Sequence, residues 1–351
     1  MSYAIGSGHF MFAFSQEKNV QEIFSVNSDM SAMIDFEKAL TIALGRCGLI
    51  PSQNVQQIMD VLDKFVPDMD DIQIGFKRDG VAPPSLVHQV RNQLNDECKT
   101  SFHYGTTSQD LIDTSLMMRM RDSVAIVSQS LQNLNLKLKE LASSHTNEKV
   151  LMARTRMQNA LPISVPEKIG NWSSQIEVLL ASTPQIFLLQ LGGPEGAVRK
   201  FGASYHDISN DMASTLGLTA AKHVWHTDRQ QVTNICFWFT QAATVMGKIA
   251  QDVLFMVQSD VGEARIEGGG SSSAMKHKKN PVLAEVILAQ ARYCHTQMSG
   301  INTASIHENE RSGTAWTLEW MLVPALLITS ANTVVNTNEL IENITIKSVA
   351  Y

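Results

Sequence analysis

Residues 117–141 read MMRMRDSVAIVSQSLQNLNLKLKEL. Apolar side chains fall at Met117, Met120, Val124, Val127, Leu131, Leu134, Leu138 and Leu141, in steps of 3, 4, 3, 4, 3, 4 and 3. This spacing keeps one apolar line on one face of a helix for about seven turns. No breaker interrupts it: glycine is absent from Thr106 to Val150, and no proline lies between Pro84 and Pro162. A second proline-free window runs from Pro194 to Pro281, and there Ile235, Phe239, Ala242, Met246, Ile249, Val253 and Met256 recur at steps of 3 and 4. A third helix is expected after Pro281, with Val282, Val286 and Ala289 on one side and the proline in its first turn, where a missing N–H costs nothing. Strand signals are weak, with no convincing alternating run closed by a hairpin turn. The expected fold class is all-α, a bundle of long helices. Such helices have more apolar surface than one bundle layer covers, so self-association is expected.

Composition narrows the function classes. The chain has 351 residues, 44% hydrophobic and 18% charged, which is globular composition. A net charge of −6 argues against a general nucleic-acid binder, which needs a basic face. Cys47, Cys98, Cys236 and Cys294 are scattered, without a CxxC pair, and read as reduced thiols rather than a disulfide frame or zinc site. The apolar patch Phe10–Phe14 has no basic flank before it, so a secretory signal is not expected. The stretch Met321–Ile328, broken by Pro324, is too short to span a bilayer. A cytoplasmic location is expected.

Three polar islands stand beside the long helices, at residues 101–114, 151–164 and 262–281. A bundle could bring them together, and islands at different heights of a long bundle would fit sites shared among subunits. The first, Ser101-Phe-His-Tyr-Gly-Thr-Thr-Ser-Gln-Asp-Leu-Ile-Asp-Thr114, offers Thr107, Ser108 and Asp110 as helix caps. A hydroxyl-bearing helix start caps a helix and binds anions with the same chemistry, and the spacing alone fits both. The third holds three glycines, three serines and three lysines within twelve residues, then Asn280 before a proline-started helix. That composition suits an active-site lid as well as a linker. His223 and His226 stand three apart, but no Cys or acidic cluster of ligand spacing supports a metal site there.

These islands carry a resemblance. Ser272-Ser-Ala-Met-Lys-His-Lys-Lys-Asn280 resembles the GSSxMPxKxN signature loop of the fumarase/aspartase superfamily. His103 to Thr114 resembles its HxGxTSQDxxDT segment, and Met152 to Pro162 its RTHxQxAxP segment, all in the family's order. Ser271 stands for the usual glycine, Lys276 for the usual proline and Arg156 for the usual histidine. Further blocks resemble the branch of 3-carboxy-cis,cis-muconate lactonizing enzymes (cycloisomerases). Glu310-Arg-Ser-Gly-Thr-Ala-Trp-Thr-Leu-Glu-Trp320 is similar to ERSxxAWxxEW, and Gln190-Leu-Gly-Gly193 to QFGG. Trp225-His-Thr-Asp-Arg-Gln230 is similar to WHxQRD with Gln and Asp exchanged.

The branch typically lacks the histidine, and this makes chemical sense. Amines and guanidines leave poorly without an acid, whereas a carboxylate, with a pKa of about 4, attacks or leaves as the anion. An arginine at the same place pairs with a substrate carboxylate. The resemblance therefore implies closure of 3-carboxy-cis,cis-muconate to 4-carboxymuconolactone, in protocatechuate (β-ketoadipate) catabolism. It implies Ser272 as proton carrier, helped by Lys278. It assigns His103, Thr107, Ser108, Arg156, Asn280 and Arg311 to substrate binding. No metal or organic cofactor is required. The partners implied are a small tricarboxylate and further copies of the chain in a homotetramer with shared active sites, without nucleic acid or membrane.

Alternatives are an adenylosuccinate-type or other fumarate-releasing lyase of the superfamily, and a non-enzymatic helical oligomer that retains the fold. By the same resemblance, an N-terminal helical domain is expected at 1–100, a central long-helix bundle at 101–340 and a short tail at 341–351. The family's C-terminal helical domain is expected to be missing or reduced.

Overall fold

The computed structural model describes residues 10–145, 150–268, 270–271 and 278–347. Among these the chain is mostly helical, with short two-stranded ribbons at the ends of helices. The first part holds α1 (Lys18–Ile23), α2 (Val26–Arg46), α3 (Ser52–Leu62), α4 (Met69–Asp79), α5 (Pro83–Arg91) and α6 (Asp96–Ser101). Then come α7 (Ser108–Ser143), β1 (Val150–Thr155), β2 (Gln158–Ser164), α8 (Val165–Ala181), β3 (Leu188–Leu189), α9 (Tyr205–Leu216) and β4 (Thr219–Ala220). The remainder is α10 (Gln230–Met256), β5 (Ala264–Ile266), β6 (Gly270–Ser271), β7 (Lys279–Asn280), α11 (Val282–Ala304), α12 (Thr314–Glu342) and β8 (Ile344–Ile346).

Helices α7, α8, α10, α11 and α12 form the bundle. The expected stripe of α7 is its buried face, with Leu141 partly covered at the end, and every residue of the α10 stripe is buried. On α11 the expectation needs shifting. Ala289 is exposed, and the line that packs inward is Ala284, Ile287, Ala291, Cys294, Met298 and Ile301. Helix α12 sits at the centre. Its 29 residues pass through Pro324 without a break and are apolar and long enough to cross a membrane, beyond what its broken apolar stretch suggested. Yet 72% of its most apolar window is buried inside the protein, so its apolar surface already belongs to the core. Some of its polar side chains are matched internally: Ser330 donates to the Phe239 carbonyl, and the Asn336 amide nitrogen to the Gln290 side chain.

The bundle helices run in two directions. Residues near the starts of α7, α10 and α12 meet one another, and Lys137 near the end of α7 pairs with Glu342 at the end of α12. These three helices therefore run the same way, while α8 and α11 return. Helix α7 spans about 54 Å and α11 about 35 Å at 1.5 Å per residue. A second core gathers α2 to α6, the start of α7, α9 and Trp316, and closes the end where α7, α10 and α12 begin.

The second island departs from expectation. Residues 150–164 form an antiparallel hairpin, β1 with β2, closed by Arg156 and Met157. Both turn residues have positive φ, 50° and 67°, the two-residue geometry that matches strand twist. Asn-Gly usually marks such a turn, so Arg-Met gives no signal for it. The four cysteines are free thiols, and burial raises the Cys236 and Cys294 thiols, which makes them inert.

Candidate active site

The N-termini of α7, α10 and α12 converge at one end of the bundle, where their partial positive charges favour anions. The sequence exploits this with carboxylates three residues apart on α7. Asp110 is fully buried. It accepts from the N–H groups of Thr107 at 3.0 Å, Gly192 at 2.8 Å and Gly193 at 3.0 Å, and contacts His226 Nε2 at 2.9 Å. One side chain thus ties the start of α7 to the 190–193 and 225–230 segments. The glycines are required by space. A Cβ on Gly192 would lie 2.6 Å from His226 Cε1, and Gly193, at φ 72°, would meet the Gly105 carbonyl at 2.9 Å.

One turn on, Asp113 is also fully buried and takes a two-point contact from Arg229, at 2.8 and 3.0 Å. Arg229 reaches Glu319 at 3.1 Å from both Nε and Nη2, and lies 5.0 Å from the Trp225 ring centre. Asp113 also accepts from Trp316 Nε1 at 3.0 Å and Gln190 Nε2 at 3.3 Å. Burial works against the Arg229 charge, but Asp113 and Glu319 more than compensate and keep it protonated. Burial pushes the Glu319 carboxyl up; Arg229 offsets part of this and Asp113 adds to it. Two carboxylates share one guanidinium, which saturates it.

His307 closes this cluster. Its side chain is completely buried, with Nε2 3.8 Å from Glu319 Oε2. Burial and the neighbouring Arg229 charge hold its pKa below the usual histidine range. His307 lies in the 305–313 loop, which delivers Arg311.

Arg311 is treated differently from Arg229. It donates from Nη1 to Thr107 Oγ1 at 2.7 Å and the Pro194 carbonyl at 3.4 Å, and from Nε to Gln109 Oε1 at 3.3 Å. All three acceptors are uncharged. Arg311 forms no ion pair with Glu308 or Glu310, and Glu308 accepts from the Ser312 hydroxyl. Ser108, in the first turn of α7, is half-buried beside this arginine's partner Thr107. His103, at φ 58°, turns its Nδ1 to buried Glu37 Oε1 at 2.5 Å, with Thr106 Oγ1 at 3.1 Å. Asp228, one of the exchanged residues, accepts from the first N–H of α10 and pairs with His223. No cluster of metal-ligating side chains occurs among the described residues.

His103, Thr107, Ser108 and Arg311 therefore share one end of the bundle. Arg156, Lys278 and Asn280 lie at the other. Arg156 is exposed at the tip of the hairpin that follows the end of α7, and this hairpin is fastened to Glu263 beyond the end of α10. Asn280 pairs with Gly270 in the β6–β7 ribbon just before α11, and Lys278 is exposed beside it. Ser272 lies outside the described residues, as does Lys276. Within one chain the first island stays apart from the other two, because α7 and α11 hold them a helix length from one another.

Sequence reading recognised the 190–193, 225–230 and 310–320 blocks but missed the work of Gln109, Asp113, Gln190, Arg229, His307 and Glu319. The three-residue spacing of Asp110 and Asp113 was the available signal, since it puts both on one helix face.

A family described as lyase matches residues 8–294. The 3-carboxy-cis,cis-muconate cycloisomerase of Acinetobacter baylyi is 28% identical over 345 residues, which cover 95% of this chain and 76% of the relative. The solved 3-carboxy-cis,cis-muconate lactonizing enzyme from Pseudomonas putida is 25% identical, with a TM-score of 0.88 over 97% of this chain and 77% of that one. A solved fumarate lyase from Mesorhizobium sp. BNC1 is 25% identical, with a TM-score of 0.87 over 95% of this chain and 77% of that one.

Proposed function

The chain belongs to the lyase family matched over residues 8–294, and from that premise we propose that it closes 3-carboxy-cis,cis-muconate to 4-carboxymuconolactone. It is an enzyme of the lyase/isomerase type, and the choice among reactions rests on the arginine-rich anion end. The observation that carries the reading is Arg311, a guanidinium held by three neutral acceptors at the meeting of three helix N-termini. Its charge is left for a ligand carboxylate, which it can meet in planar, two-point fashion. A second arginine, Arg156, stands in the hairpin where the superfamily's histidine is usual, and suits a further substrate carboxylate better than a proton transfer.

In the proposed reaction, one substrate carboxylate oxygen adds to an alkene carbon and forms the ring C–O bond. The displaced π electrons move onto the carboxyl group conjugated with that alkene, giving an aci-carboxylate. Fixed cations and N–H donors stabilise the new charge, the largest expected catalytic contribution. A proton from Ser272 then reaches the adjacent carbon, and the lactone results. The roles of Ser272, Lys278 and Asn280 rest on the resemblance of residues 272–280 to the superfamily loop. Holding the attacking carboxylate near the alkene adds an entropic contribution.

The separation of Arg311 from Lys278 and Arg156 supports a site completed by other copies of the chain, in a homotetramer. Release of fumarate from an adduct is the second reading, favoured by the similarity to the Mesorhizobium fumarate lyase. Incubating the purified protein with 3-carboxy-cis,cis-muconate tests the choice. Loss of the conjugated-diene absorbance, with a lactone seen by NMR, is expected. An unchanged diene together with fumarate release from an amine adduct would overturn it.

A further inference from the structure

Arg229 and Arg311 are bound by opposite strategies, and one residue stands between them. Gln109 is fully buried in the first turn of α7. Its amide nitrogen donates to Asp113 Oδ2 at 3.1 Å and to the His226 carbonyl at 2.8 Å. An ionised carboxylate and a carbonyl only accept, so the amide has one orientation. Its oxygen must then face Arg311, whose Nε lies at 3.3 Å. A guanidinium has only N–H groups to offer, so this contact is also fixed in sense. Nε goes to Gln109 and Nη1 to Thr107 and Pro194. The Nη2 edge has no partner among the described residues.

We infer that Gln109 is the positioning residue that sets the plane of the Arg311 guanidinium and, by holding it with a neutral oxygen, leaves its charge for a substrate carboxylate. The inference rests on reading Arg311 as the anion site. It explains why an amide sits where a carboxylate of the same shape would make a closer ion pair. A carboxylate here would neutralise Arg311, as Asp113 and Glu319 neutralise Arg229. It would also place like charge beside Asp113. The amide carries rigidity from the saturated arginine to the unsaturated one without passing on negative charge.

Two variants separate this from a packing role. Gln109→Glu keeps size and shape and adds charge; Gln109→Met keeps length and removes the polar contacts. Affinity for tricarballylate, a saturated tricarboxylate, is measured by calorimetry beside KM and kcat on the muconate, and both variants are crystallised. For Gln109→Glu we expect Arg311 in place, affinity lowered at least about tenfold, as for loss of a charge-assisted hydrogen bond, and recovery at acidic pH as the new carboxyl takes a proton. For Gln109→Met we expect the guanidinium turned away from Thr107, with KM raised more than kcat is lowered. An Arg311 that keeps its position in Gln109→Met, or a Gln109→Glu variant with unchanged affinity, overturns the inference. Absence of muconate turnover in the unmodified protein overturns the proposed reaction instead, and the crystal structures still decide the role of Gln109.

Discussion

Arg311 and Thr107 lie 204 residues apart in the chain and meet at 2.7 Å, guanidinium to hydroxyl. The contact joins the loop before α12 to the residue that starts α7. It exists because Asp110 and Asp113, one turn inside α7, are already fastened to the segments on either side. A guanidinium held by neutral acceptors beside a helix start suits a ligand carboxylate.

Replacing Arg311 should act on binding more than on folding. Arg311→Lys keeps the charge but loses the planar fork. A loss of about 1.5–3 kcal/mol per charged hydrogen bond corresponds to a KM roughly tenfold to a hundredfold higher. Steady-state kinetics beside a melting curve checks this. A fall in melting temperature with unchanged KM would assign Arg311 to structure.

Arg229 should behave in the opposite way. Arg229→Met leaves Asp113 and Glu319 buried without their cation, a change that typically costs about 3–5 kcal/mol. Denaturant unfolding should show that loss directly. Unchanged stability would mean that water or protonation satisfies the two carboxylates.

His307 gives the fold a pH dependence of known sign. Its folded pKa lies below the ordinary 6.5, because burial and Arg229 disfavour its charged form. The unfolded chain therefore binds the proton first. Stability should be lost as pH falls from 6.5 toward the folded value. His307→Gln should flatten this part of the stability curve. An equal slope in both proteins would locate the titration elsewhere.

Arg156 allows fold and function to be separated. It occupies a positive-φ turn position, φ 50°, that glycine adopts without strain. Arg156→Gly should keep or slightly raise the melting temperature, by no more than about 1 kcal/mol of stability. Turnover should still fall at least about tenfold for want of one charged contact. Full activity in this variant would remove Arg156 from the site.

The long helices were legible because their apolar spacing survives without tertiary information. Every position of the α10 stripe is buried, and on α7 only Leu141 is partly covered. The start of α7 at Thr107 was legible from its hydroxyls and acids. The β1–β2 hairpin was not, since its strands hardly alternate and its turn uses Arg156 and Met157 in place of small residues. The face of α11 was misplaced because its alanines and threonines give little contrast between sides. In the site, Arg311 was legible from its motif. The buried cluster behind it was not, because Asp113, Arg229 and Glu319 are far apart in sequence and look like ordinary surface charges until the fold joins them.

If Arg311 and Lys278 serve one reaction, different chains must supply them, because the two residues lie at opposite ends of the bundle. The direct measurement mixes two inactive proteins, Arg311→Ala and Lys278→Ala, dissociates and reassembles them together, and monitors turnover of the muconate. Recovered activity in the mixture, absent from each variant treated alone, is the predicted result, because some hybrid sites then contain both native residues. Two active single variants, or a mixed oligomer that stays inactive, would rule out a site shared between chains.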